Sequence, residues 1–167
     1  MCCLKGGTAV KQDKNRKRVL LRACFLCYCV LMLWLLFGRD KYDAAEDYWE
    51  RMHQNMNMVP LATIRLYLHV LAEPSLSHLI SHAVVNLAGN VVMFVPLGAF
   101  LPALWRKLRK WWKSVLCTAI VITLIEIVQL FTLVGSCDVD DLILNVAGAW
   151  IGYGLWRFAL WCGGTRE

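Results

Sequence analysis

Residues 114–134 read SVLCTAIVITLIEIVQLFTLV, an apolar run with no lysine, arginine or proline and a lone acid, Glu126. A helix of about 20 such residues, rising ~1.5 Å each, crosses the ~30 Å hydrocarbon layer of a bilayer. Working outward, three further runs have the same character: 83–104 before it, 142–161 after it, and 19–37 near the start. The 167-residue chain is 59% hydrophobic and 18% charged, whereas a soluble domain carries about 45–50% apolar and about 25% charged residues. That excludes a soluble enzyme, a disordered chain and a secreted disulfide scaffold. The expected fold class is all-α, a polytopic four-transmembrane-helix bundle with an external interfacial segment. The expected division is a basic cytoplasmic tail over 1–18, one membrane domain over 19–161, and a short cytoplasmic tail over 162–167.

Charge sets the expected orientation. Lys14, Arg16, Lys17, Arg18 and Arg22 lead into the first run, and Arg106, Lys107, Arg109, Lys110 and Lys113 separate the second from the third. The stretch 38–82 holds more acids than cations, and 135–141 holds Asp138, Asp140 and Asp141 with no cation. Lysine and arginine collect in short cytoplasmic loops. The chain is therefore expected in the cell membrane as a multi-pass protein with both termini cytoplasmic. The first run reads as an uncleaved signal anchor, since no small-residue cleavage site follows it before Gly38. The net charge of +6 flanks spanning segments, so membrane lipids are the expected partners and nucleic acid is not.

Polar residues inside the runs carry the functional reading. His78, His82, Asn86 and Asn90 recur every four residues, a stripe along one helical face. Glu126 and Gln129 share a face of the third run, and Asn145 lies one turn beyond Asp141 in the fourth. On the four-span topology Asn90 and Glu126 both lie roughly 10–12 Å below the outer boundary, and Asn145 about 5 Å below it. A charged carboxylate at the centre of a membrane helix costs about 2.5–3.5 kcal/mol on insertion scales, so an intramembrane acid is a functional candidate. The expected ligand-binding set is Asn86, Asn90, Glu126, Gln129, Asp138, Asp140, Asp141 and Asn145. The aspartates also suit a helix N-terminus, which favours acids in its first turn. No metal site and no cofactor is expected, because the histidines have no third ligand at fixed spacing.

Small and rigid residues suggest how the runs meet. Asn145, Gly148 and Gly152 share one face, which is expected to be buried through the Gly148-x-x-x-Gly152 pair. Gly89 is expected to permit a close approach as well. Pro96 and Pro102 are expected to kink the second helix and leave 94–98 irregular. Gly135 suggests a tight turn between the last two runs. The external segment divides into a charged stretch, 39–54, expected as a short surface helix, and an apolar stretch, 56–71, expected at the interface or re-entrant.

Four of these segments, taken in order, resemble the VanZ-like family. They are Asn57–Ile64 (NMVPLATI), Asn86–Gly98 (NLAGNVVMFVPLG), Glu126–Phe131 (EIVQLF), and Asp138–Asn145 (DVDDLILN) with Gly148 and Gly152. The likeness covers roughly 55–155; Leu61 departs from it, at a position where the family usually has phenylalanine. The resemblance implies a small polytopic membrane protein, and a named member of the family confers resistance to the glycopeptide teicoplanin. The resemblance does not settle the chemistry, and the polar residues leave two functions open. One is non-enzymatic binding of an amphiphile, a lipoglycopeptide or a lipid-linked cell-wall component in an outward-facing acidic and amide cavity. The other is an intramembrane hydrolase or transferase acting on a lipid-linked substrate through Glu126, Asp140 and His82 with the Asp138–Asp141 cluster. The absence of a nucleophile beside a base favours the first.

Overall fold

The computed structural model describes residues 5–38, 47–134 and 137–164. The turn expected at Gly135, the first half of 39–54, and the chain ends lie outside the described residues. Each of the four apolar runs lies on a helix: α1 (Lys5–Phe37), α4 (Ile80–Leu104), α5 (Trp111–Thr132) and α6 (Val139–Cys162). The stretch expected as a basic tail continues α1 back to Lys5, in keeping with the good helix propensity of lysine and arginine. Two short helices, α2 (Tyr48–Gln54) and α3 (Ala62–Ala72), join α1 to α4. The protein is thus mostly helical, and among the described residues three helices are long and apolar enough to cross a membrane, namely α1 over Asn15–Phe37, α4 and α5. Although α6 has the length, Asn145, Gly148, Gly152, Tyr153, Gly154 and Arg157 dilute its apolar side chains.

The principal contact is between α4 and α6. A Cβ on Gly148 would fall 2.0 Å from the carbonyl oxygen of Val91, and one on Gly152 would fall 1.9 Å from that of Val95. Only glycine permits backbones to touch in this way. Partners advance by four residues in the same sense on both helices, so α4 and α6 run parallel, with α5 as the return segment between them. Gly98 completes the seam, as its Cβ would meet the Ala149 carbonyl oxygen at 1.8 Å. By contrast, a Cβ on Gly89 would meet nothing within 4 Å, so the close approach expected there is absent.

Nor do the prolines interrupt α4. Helical backbone runs unbroken through 94–98, and Phe94, Leu97 and Leu101 pack into a core with Met32, Ile122 and Ala149. Proline removes one N–H donor and leaves one carbonyl unpaired. Here the seam against α6, with Pro102 itself buried, holds the helix together despite both losses.

At the edge of the core, α1 is pinned at two heights. The Tyr28 hydroxyl donates to the Met93 carbonyl at 2.9 Å, and Gln129 Nε2 donates to the Leu36 carbonyl at 3.0 Å. Leu36 lies in the last turn of α1, where carbonyls have no partner in their own helix.

Candidate functional site

The N-terminus of α6 and the segment before α3 lock together. Met56 and Asn57 form a two-residue strand, β1, paired parallel with β2, Cys137 and Asp138. Asp138 caps α6, its Oδ1 accepting from the Asp140 N–H at 2.8 Å. Its Oδ2 accepts from the Thr63 hydroxyl at 2.6 Å and from Asn57 Nδ2 at 3.1 Å. The Asn57 carboxamide oxygen turns back to accept from the Val59 N–H at 3.2 Å, which tightens the loop through Pro60.

Asp140 has no exposed surface, and both its oxygens are engaged. Oδ1 accepts from the Leu61 N–H at 2.5 Å and Oδ2 from the Ile64 N–H at 3.0 Å. Leu61 offers no side-chain cap for α3 and holds a left-handed backbone with φ 64°. That conformation costs a non-glycine residue roughly 1–2 kcal/mol. Asp140 supplies the missing cap from another helix, and its charge suits the positive ends of α3 and α6 together. Asp138 and Asp140 were both expected as ligand-binding groups; in the fold their oxygens join α6 to the 57–64 segment.

Deeper in the bundle, polar side chains of α4, α5 and α6 come near one another. Asn90 on α4 donates from Nδ2 to Asp141 Oδ1 on α6. Glu126 on α5 is buried, its carboxyl facing the Asp138 backbone N–H and the Asp141 carboxylate. Asn86 lies one turn before Asn90 on α4, and Asn145 one turn after Asp141 on α6. Glu126 Oε2, Asn86 Oδ1 and Asn145 Oδ1 are buried and find no hydrogen-bond partner among the described residues. A buried acceptor left unpaired costs about 1–3 kcal/mol.

Two expected members stand apart. Gln129 turns its amide to the end of α1, and His82 is exposed on α4. The side chain of His78 lies outside the described residues. No group of three histidine, cysteine or acidic side chains placed to hold a metal ion occurs among the described residues. Cys137 borders the site, and burial, followed by the charges of Glu126 and Asp138, pushes its thiol above the usual range. The sequence reading missed Asn57 and Thr63 as partners of Asp138. Their presence in one ordered motif with Pro60 was the available signal.

No solved structure matches the chain. A curated relative, Protein VanZ of Enterococcus faecium, is 22% identical over 142 residues, which cover 83% of this chain and 76% of that protein. The family model described as VanZ/LLP1 matches residues 25–160, a span that takes in the Asn90–Asp141 contact, Glu126 and the 57–64 clamp. With its apolar helices the chain is a multi-pass membrane protein, and it belongs to the VanZ/LLP1 family.

Proposed function

We propose that this is a VanZ-type resistance protein with four spans, α6 supplying the fourth, and both termini in the cytoplasm. A polar hollow among α4, α5 and α6, open to the exterior, binds an amphiphilic or envelope-derived ligand. A lipoglycopeptide or a lipid-linked cell-wall component has the required character, and its capture lowers the effective action of teicoplanin. The parallel course of α4 and α6 supports the topology, because two parallel spans separated by one return helix begin on the same side. The spread of cations supports the orientation, since they gather at the opposite end of these helices.

The observation that carries the reading is the trio of buried oxygens on Glu126, Asn86 and Asn145 that have no hydrogen-bond partner among the described residues. They belong to three helices and all accept, so the matching ligand brings donors such as hydroxyl, amide or ammonium groups. Asn90 and Asp141 brace the wall of the hollow, and Asp138 and Asp140 hold its rim. Their engagement also weakens the hydrolase alternative, which needed those carboxylates for chemistry. The test is expression of the chain in a glycopeptide-sensitive host, with teicoplanin and vancomycin susceptibility measured side by side. Tolerance rising for teicoplanin above that for vancomycin supports the proposal, and unchanged susceptibility to both overturns it.

A further inference from the structure

The end of the bundle opposite the acidic rim holds a groove of about 480 Å³, lined by Arg109, Lys110, Trp111, Trp112, Tyr153 and Arg157. Three of the six are cations and none is an acid. The groove lies where the link after α4 meets the start of α5 and the last turns of α6. Its floor is fixed, for the Tyr153 hydroxyl donates to the Arg109 carbonyl at 2.6 Å and Tyr153 is itself buried. The Arg109 guanidinium lies 6.0 Å from the Trp156 ring centroid, at the outer limit of a cation–π contact. Trp111 and Trp112 are exposed beside it, as suits indoles at the headgroup level of a bilayer.

From this arrangement we infer that the groove is a binding site for the headgroup of an anionic phospholipid, separate from the hollow among α4, α5 and α6. Guanidinium forks match phosphate oxygens in pairs, and a lysine adds a point charge. Basic pockets between spanning helices on the cytoplasmic side hold anionic lipid heads for this reason. The indoles flank the upper acyl carbons while Arg109, Lys110 and Arg157 take the phosphate. A lipid bound there bridges the α4–α5 link and α6, and so braces the end of the bundle remote from the acidic rim. The sidedness rests on the proposed topology; binding itself does not.

The test uses the full chain in mixed micelles of phosphatidylglycerol and phosphatidylcholine, with lipids retained by the protein counted by native mass spectrometry. Wild type retains phosphatidylglycerol selectively. The double variant Arg109→Gln/Arg157→Gln loses that selectivity about 25-fold, near fivefold for each charge at a membrane surface. The control pair Arg106→Gln/Lys107→Gln lies outside the groove and keeps it. Circular dichroism establishes that both variants are folded. Equal retention of the two lipids by wild type overturns the site, as does equal loss from both variant pairs. Displacement of the lipid by inorganic phosphate at matched concentration overturns the lipid assignment in favour of a soluble phosphate compound. None of these outcomes depends on antibiotic susceptibility, so failure here is distinct from failure of the proposed function.

Discussion

The Leu61 N–H donates to the carboxylate of Asp140 at 2.5 Å, across 79 residues of chain. Through this contact an acid in the first turn of α6 caps α3, and the left-handed backbone at Leu61 is held in place. Replacing Asp140 with alanine strips the Leu61 and Ile64 N–H groups of their acceptor together. The expected cost is about 3 kcal/mol or more, since hydrogen bonds to charged acceptors contribute about 1.5–3 kcal/mol each. Thermal unfolding in detergent reads the loss, and limited proteolysis within 56–72 shows that the segment has come away. Unchanged protection there would contradict the clamp.

Thr63 gives a milder version of the same experiment. Thr63→Val keeps the shape and removes the hydroxyl that donates to Asp138 Oδ2 at 2.6 Å. Stability should fall by about 1–3 kcal/mol, and Thr63→Ser should recover most of it. Equal stability of the valine and serine variants would show that the hydroxyl contributes nothing.

The parallel seam makes a paired prediction. Gly152→Ala forces a Cβ to within 1.9 Å of the Val95 carbonyl, a backbone atom that cannot swing aside. Overpacking of this kind costs about 1–3 kcal/mol, so the variant should unfold at lower temperature. Gly89→Ala meets nothing within 4 Å and should match wild type or gain about 0.5–1 kcal/mol from helix propensity. The same destabilisation in both would place the close contact elsewhere.

Much of this fold was legible in the sequence because three of the four apolar runs lie on helices apolar enough to cross a bilayer's thickness. The i, i+4 spacing linked Asn86 to Asn90 and Asp141 to Asn145, and the Asn145, Gly148 and Gly152 face is the one α6 turns to α4, but the α4 side of the seam, Val91, Val95 and Gly98, was not picked out. What escaped was the partner of each polar group. Asp138 and Asp140 stand beside each other with Asp141, and nothing in their spacing separates two aspartates that clamp a distant loop from one that contacts Asn90. That distinction depends on Asn57–Ile64 folding back across the start of α6, a long-range contact that periodicity does not encode. Gln129 misled for a related reason, since its helical face was correct but its amide reaches the last turn of α1. The prolines misled through propensity, which the glycine seam overrides.

Cys137 reports on the electrostatics of the rim. Its thiol is pushed up by burial and by the charges of Glu126 and Asp138. The thiolate is the reactive form, so a raised pKa leaves less of it at neutral pH than in an ordinary cysteine. Alkylation of Cys137 by a membrane-impermeant maleimide should be slow at neutral pH and accelerate well into the alkaline range. Site mapping by mass spectrometry on intact cells should find it labelled from the exterior. Fast labelling at neutral pH would contradict an acidic rim, and labelling only after permeabilisation would reverse the topology.

The proposal that Glu126, Asn90 and Asp141 meet at one binding hollow is tested most directly by Glu126→Gln. Glutamine keeps the size of the side chain and a carbonyl acceptor while removing the carboxylate. The measurement is teicoplanin susceptibility of cells making wild type or the variant, with membrane amount and folding of both proteins matched. The account predicts that the folded variant loses the resistance that wild type confers. Full resistance retained by the variant would contradict it.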